Sequence, residues 1–256
     1  MKDAEIVLYD YPTSICCQMV RLTLSEKGVP FERRNVDIME KAEQFEPWYT
    51  ALNPKAVVPT LAIGDEIVTD TFRIVHRIDQ RFKGPNLTPN DPAQAEAMGC
   101  MMRDIMALHY GVLLYSRRLN DNGRSPIVEA RGKFLQQQRE RHPNRASLLD
   151  ARIAGNQRLQ AALANPSETA RHVNDARLLV DRIDKALSQT RFVSGNCYTL
   201  ADTFATAALA RFRLHGFDVW WSNDTNGNVA DYYRRVGERF SWSAAGIVDS
   251  GSESDL

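Results

Sequence analysis

Pro59-Thr-Leu-Ala-Ile63-Gly64-Asp65-Glu66-Ile-Val-Thr69-Asp70-Thr71 holds two short β-prone runs joined by a Gly-Asp step, and a helical pattern follows at once. A two-residue turn with glycine between runs of Ile, Val and Thr predicts a β-hairpin. The pattern over 71–82 then predicts a helix. A proline at the head of the first run lacks the amide that a ladder needs, which places it at a strand start, an edge or a cis turn. Upstream, residues 5–9 read as a strand. Residues 16–27 carry Cys17, Val20 and Leu24 on one helical face and stop at Gly28, a good residue for the position just past a helix end. Residues 31–37 read as a second strand, and a strand that follows a strand and a helix implies a βαβ unit with parallel pairing.

The order βαβ then ββα is the thioredoxin-like arrangement, expected over residues 1–82. Residues 83–92 hold three prolines and little apolar periodicity, so they read as a linker. The rest, 93–256, reads as an all-helical domain, with helices expected at 93–119, 126–141, 146–164, 170–188, 200–215 and 229–240. Thr199-Leu-Ala-Asp202 is the best-defined helix start, a capping threonine with an acid three residues on. Beyond Ser241 the composition turns to Ser, Gly and acids, and 241–256 is expected to be a flexible tail.

Length and charge narrow the function. The chain has 256 residues, enough for one large domain or two modest ones. Lys plus Arg and Asp plus Glu balance at 32 each, so no global field recruits nucleic acid or an anionic membrane. A basic stretch from Arg131 to Arg152 is interrupted by Glu140 and Asp150, with Glu129 just before it, and reads as a solvated helix face. No leader pattern and no long apolar run is visible, and a cytoplasmic location is expected. The four cysteines, Cys16, Cys17, Cys100 and Cys197, are too scattered for a disulfide framework. Cys16 and Cys17 have Cα atoms only about 3.8 Å apart, below the roughly 4.4–6.8 Å of an unstrained bridge. The five histidines are far apart in sequence and show no zinc spacing, so no metal site is expected.

Three places carry chemistry. Tyr11-Pro-Thr-Ser14-Ile-Cys16-Cys17-Gln18 sits between a strand and a helix, where unpaired N–H groups and the positive end of the helix dipole favour an anionic sulfur. That sulfur is either the protein's own or one brought by a bound thiol. Val58, next to Pro59, has a backbone that an extended peptide could pair with if the proline is a cis turn. Asp70-Thr71 lies where hairpin meets helix: Thr71 reads as an N-cap whose hydroxyl could grip a carboxylate, with Asp70 meeting an amine, or the two form a plain capping pair.

Taken in order, Ser14-Ile-Cys16, Asn53-Pro-Lys-Ala-Val-Val-Pro59-Thr, Val68-Thr-Asp70-Thr71 with Ile74, and Thr199-Leu-Ala-Asp202 resemble the cytosolic glutathione transferase family. Within it the chain is similar to the bacterial tetrachlorohydroquinone reductive dehalogenases and to glutathione-dependent β-etherases acting on aryl ethers. The resemblance implies glutathione as co-substrate, held by Ser14, Lys55, Val58, Pro59, Asp70 and Thr71. It implies that Ser14 donates its hydroxyl hydrogen to the glutathione sulfur, and that Cys16 is a second nucleophile for thiol–disulfide exchange. Cys16 at the first helical turn is expected to have a depressed pKa, and Cys17, on the face with Val20 and Leu24, to be core.

The resemblance also makes the helix with Met102, Met106, His109, Tyr110, Leu113 and Leu114 the border of an electrophile pocket. Met106, His109 and Tyr110 are then its candidate lining residues. Read from spacing alone, that stripe is inter-helix core, and His109 is either a proton donor or a satisfied core histidine. Trp220-Trp221 and Tyr232-Tyr233 either close the pocket or pack. The implied activity is attack of a glutathione thiolate on an electrophilic carbon of an aromatic compound, displacing halide or aryl ether, by a homo- or heterodimer. Two rivals stand beside it: thiol–disulfide exchange or deglutathionylation centred on Cys16, and a non-catalytic transferase-like interaction module.

Overall fold

The computed structural model describes residues 5–222 and 225–250. In chain order the elements are β1 (Ile6–Asp10), α1 (Ile15–Glu26), β2 (Glu32–Asn35), α2 (Pro47–Leu52), β3 (Thr60–Ile63), β4 (Glu66–Thr69) and α3 (Thr71–Arg81). There follow α4 (Pro92–Ala107), α5 (Tyr110–Tyr115), α6 (Pro126–Arg141), α7 (Ala146–Ala164), α8 (Pro166–Leu187), α9 (Leu200–Leu214), α10 (Val219–Ser222), α11 (Gly227–Gly237) and α12 (Phe240–Ala244).

The sheet has the order β2-β1-β3-β4. β1 runs parallel to β2, with Leu8 opposite Arg33, and antiparallel to β3, with Leu8 opposite Leu61. β3 and β4 form the hairpin, Ile63 opposite Glu66 across Gly64-Asp65, and Gly64 takes φ 58°. The thioredoxin-like arrangement is therefore present as read. Alternation puts Val7, Tyr9 and Ala62 on one face with Val36 and Tyr49, and turns Leu8 and Leu61 the other way. The edge strand β2 is exposed along its length and carries Glu32, Arg33 and Arg34, charges that discourage further strand pairing.

α1 ends as its sequence predicts. Gly28 is left-handed at φ 66°, its N–H bonds the Ser25 carbonyl, and the Val29 N–H bonds the Leu24 carbonyl, a Schellman closure. The proline-rich linker is pinned rather than loose. The buried Lys27 ammonium donates to Asp79 Oδ1 at 3.0 Å and to the Pro85 carbonyl at 2.8 Å, and Asp79 also accepts the Leu87 N–H. A Cβ on Gly84 would come within 2.6 Å of the Lys27 carbonyl, so only glycine passes there.

By compactness the chain falls into two units that do not divide at the linker: 1–106 with 180–256, and 107–179. In the first, α9 packs on α1 beside α3, and α12 packs on α1 as well. In the second, α6 and α7 form a hairpin with α5 against α7, around Val112, Val128, Leu159, Ala162 and Leu163.

Two sequence expectations change. The helix expected at 93–119 breaks at Leu108–His109, because His109 leaves helical geometry (φ −83°, ψ 73°) and its Nδ1 accepts the Val112 N–H at 3.3 Å, starting α5. Residues 241–250 are not a free tail: α12 is docked, Ser241 and Ala245 are buried, and the Ala245 carbonyl accepts from Arg21 Nε at 2.5 Å. The remainder of the expected tail, 251–256, lies outside the described residues. Trp221, Tyr232 and Tyr233 are buried, and the rings at 217, 220, 221, 233 and 242 contact one another in pairs.

Candidate functional site

At the α1 end of the candidate site, Ser14 is the N-cap. Its backbone is extended (φ −67°, ψ 123°) and its Oγ accepts the Cys17 N–H at 3.4 Å. A hydroxyl can accept and donate at once, so capping does not consume its hydrogen. Cys16 is the second helical residue and keeps part of its surface exposed. Its thiol pKa is nevertheless raised, against the sequence expectation. Burial around the sulfur is the largest cause and Asp70 adds to it, while the Thr71 hydroxyl, the Arg211 charge and the helix amide pull the other way. Cys17 is fully buried, and burial pushes its thiol up to about 12, so it belongs to the core as expected.

The turn before Ser14 is held by two arginines. Arg21, fully buried on α1, donates to Asp10 Oδ2 at 2.6 Å and to the Pro12 carbonyl at 2.9 Å. Arg211, 8% exposed on α9, donates through Nη2 to the Thr13 carbonyl. Neither residue stood out in the sequence, since each lies on an otherwise ordinary helical face and acts on a carbonyl that no pattern marks.

The second part of the site is the loop between α2 and β3. The Val58–Pro59 bond is cis. The Val57 carbonyl accepts from Tyr49 Oη at 2.6 Å and from Asn53 Nδ2 at 2.8 Å. Because the Val57–Val58 peptide is trans, its N–H points opposite to that carbonyl, away from the Tyr49–Asn53 cluster. Among the described residues no hydrogen bond engages the Val58 backbone. Lys55, exposed, is oriented by its N–H donating to Asn53 Oδ1 at 3.1 Å. Asn53 and Tyr49 are thus the supports of the loop; the Asn-Pro step after Leu52 was the signal for the first, and nothing in sequence marked the second.

The third part is the start of α3. Asp70, not Thr71, is the N-cap: it adopts φ 78° and its Oδ1 accepts the Arg73 N–H at 3.2 Å. Thr71 is the first helical residue and is buried, with its hydroxyl near the Cys16 sulfur. The unusual positive φ at a non-glycine residue marks a locally constrained backbone at this junction.

The proposed electrophile residues do not share one helix. Met106 is half-buried near the end of α4, whereas His109 caps α5 and Tyr110 opens it. His109 is exposed, its ring lies 4.8 Å from that of His172, and its Nδ1 acceptor role gives it a structural duty. No group of three or more His, Cys, Asp or Glu among the described residues could hold a metal ion.

Residues 8–86 match the glutathione S-transferase N-terminal domain. Over 249 residues the chain is 31% identical to the tetrachloro-p-hydroquinone reductive dehalogenase of Sphingobium chlorophenolicum, covering 95% of this chain and 96% of that one. The chain belongs to the glutathione S-transferase family. Another glutathione S-transferase, TCHQD of Arabidopsis thaliana, is 24% identical over 235 residues, 92% of this chain and 87% of that one. Among solved structures, the β-etherase LigF from Sphingobium sp. strain SYK-6 superposes with a TM-score of 0.75 at 21% identity, over 94% of this chain and 98% of that one, which shows the shared glutathione S-transferase fold. Glutathione is the co-substrate of this family.

Proposed function

We propose that this glutathione S-transferase directs the thiolate of bound glutathione onto an electrophilic carbon of an aromatic compound and displaces a halide or an aryl ether. The observation that carries the reading is the Val58 backbone, which makes no hydrogen bond among the described residues while Tyr49 and Asn53 hold the neighbouring Val57 carbonyl. An extended cysteinyl peptide would pair there by strand-like hydrogen bonds. Ser14 would then donate to the glutathione sulfur, while Lys55, Asp70 and Thr71 meet the charged ends of the tripeptide. Each unit by which the thiol pKa falls corresponds to about 1.4 kcal/mol of preference for thiolate. Orientation of the two substrates supplies the rest of the rate.

The choice of aromatic electrophile is supported by the dehalogenase likeness across nearly the whole chain. A dimer and a cytoplasmic location belong to the same proposal; among the described residues no helix is long and apolar enough to cross a membrane.

The decisive experiment pairs retention on immobilised glutathione with a panel of halogenated hydroquinones and β-aryl ethers, read as glutathione consumed and leaving group released. The parent protein should be retained and turn over at least one class. Ser14→Ala should still bind but lose roughly a hundredfold in kcat/KM, the scale of one lost donor to a developing anion. A parent protein that glutathione does not retain would overturn the reading. Light scattering on the same sample checks the dimer.

A further inference from the structure

A cleft of about 470 Å³ opens between α9, α10, α11 and α12, and it shares no residue with the candidate glutathione site. Its walls are aromatic. Trp221 and Tyr233 are buried with their rings 5.8 Å apart, and Trp242 meets Tyr233 edge-on at 5.4 Å. Rings that meet from three helices yet leave open volume beside them form a slot for a flat guest rather than a sealed core.

The polar groups of the cleft converge on one point. Tyr233 Oη donates to Asp249 Oδ2 at 2.8 Å, and Arg213 Nε lies 3.7 Å from the same oxygen. The Arg213 guanidinium carbon is 5.7 Å from the centre of the Tyr233 ring. Arg234, also at the cleft, is engaged by Asp231 and Glu238 along its own helix. A phenol and a guanidinium aimed at one carboxylate are an ordinary means of recognising an acid. Here the acid is the chain's own. Asp249 follows closely on the Ala245 and Gly246 carbonyls that Arg21 holds, and on the Ile247 N–H that bonds the Trp242 carbonyl. We propose that this cleft is a second binding site, for a planar aromatic carboxylate, and that Asp249 is its internal occupant, holding the acid position until such a ligand displaces it.

The balance of charge selects the ligand class. A cation gains little where two guanidinium groups stand, and a neutral arene leaves the acid position untouched. Once Asp249 is out, an anion must replace it, because the buried Tyr233 hydroxyl would otherwise lack its acceptor and Arg213 its counter-charge. Burial and the nearness of Asp249 make the Tyr233 phenol harder to ionise, so it remains a donor near neutral pH. Exchanging one carboxylate for another conserves these contacts, so the ligand is opposed mainly by the tethering of Asp249. Apparent affinity in the parent is reduced to the fraction of molecules in which Asp249 is unseated.

Calorimetric titration of the full chain with 2-naphthoate and its neutral counterpart 2-naphthamide tests this. Asp249→Ala should bind naphthoate about tenfold more tightly than the parent, the scale of one charge-assisted hydrogen bond that no longer has to be broken, and naphthamide within about twofold of it. Adding Arg213→Gln to Asp249→Ala should remove the gain and bring naphthoate to the level of naphthamide. An Asp249 that only fastens the segment would not give this result, because loosening the chain does not favour one charge state of the ligand. The proposal is overturned if Asp249→Ala leaves naphthoate binding unchanged or weaker, if it tightens both compounds alike, if the second substitution has no effect, or if neither protein binds naphthoate. Should Asp249→Ala not fold, hydrogen exchange in the parent decides. Saturating naphthoate should quicken exchange over residues 247–250, which lose their anchor, and unchanged or slower exchange there overturns the displacement of Asp249.

Discussion

Cys16 illustrates how one residue's surroundings can reverse the reading of its position. A thiol at the second position of a helix has the dipole and the orphan amides in its favour, which is why a depressed pKa is the natural expectation. Here burial outweighs them, and Asp70 adds to the burial. At neutral pH Cys16 is therefore mainly thiol and a weak nucleophile, which favours glutathione's own sulfur as the attacking group. Cys16→Ala is then expected to retain conjugate formation within about twofold, measured as glutathionyl product by mass spectrometry. Accumulation of a stalled mixed conjugate in the variant would instead assign the exchange step to Cys16. The pH dependence has a definite sign: because the native thiol pKa lies above the ordinary range, Cys16 alkylation in the parent inflects at higher pH than that of a free thiol, and denaturation should bring the inflection down.

At the scale of the element, α9 shows which features a sequence displays and which it hides. Thr199 and Asp202 form the capping box that their spacing announced, and the local rule suffices because both partners lie within one helical turn. The structure adds what spacing cannot show. Asp202 is fully buried and accepts from the Val193 and Thr199 N–H groups, the Thr199 hydroxyl and Tyr232 Oη, at 2.8 to 3.1 Å. Burial pushes its carboxyl up to about 6, still low enough for an anion at neutral pH. Asp202→Asn presents an amide where donors converge and should cost about 3 kcal/mol. That is roughly 6–12 °C in melting temperature for a unit of this size, read by calorimetry at pH 7.

The same contrast governs the rest of the fold. The hairpin, the α1 stop at Gly28, and helices α6 and α7 were legible because turn chemistry and apolar period are local. The break at His109 was not, because a histidine cap interrupts no hydrophobic pattern. In the candidate site, Ser14, Val58 and Asp70 were marked by turns and by the family likeness. Arg211 and Tyr49 were not, because each acts on a carbonyl distant in sequence or silent in pattern.

At the scale of the whole chain, composition misjudged the C-terminal stretch for a physical reason: small and polar residues read as loose unless something distant binds their backbone. Within the first unit that something is α1, together with α11. Arg21 holds the Ala245 carbonyl at 2.5 Å and the Gly246 carbonyl at 3.3 Å, Glu26 accepts from the Ser241 hydroxyl, and Asp249 accepts from Tyr233 Oη at 2.8 Å. Trp242 meets the Tyr233 ring edge-on at 5.4 Å. A chain ending at Arg239 keeps the Arg239–Glu26 pair and the Arg21–Asp10 pair, so no charge is left alone in the interior. It nevertheless loses a set of charge-assisted bonds, each worth about 1.5–3 kcal/mol. It also loses the cover over α1, the helix that Ser14 caps. The truncated protein is expected to lose about 4 kcal/mol, and its first thermal transition should fall by roughly 8–16 °C. Hydrogen exchange should quicken first in α1, ahead of the sheet, because α1 is the element uncovered. A transition within about 2 °C of the parent would mean that the segment is an appendage after all; a large fall with α1 exchange unchanged would place its stabilising contacts on α11 rather than on the helix that carries the thiol site.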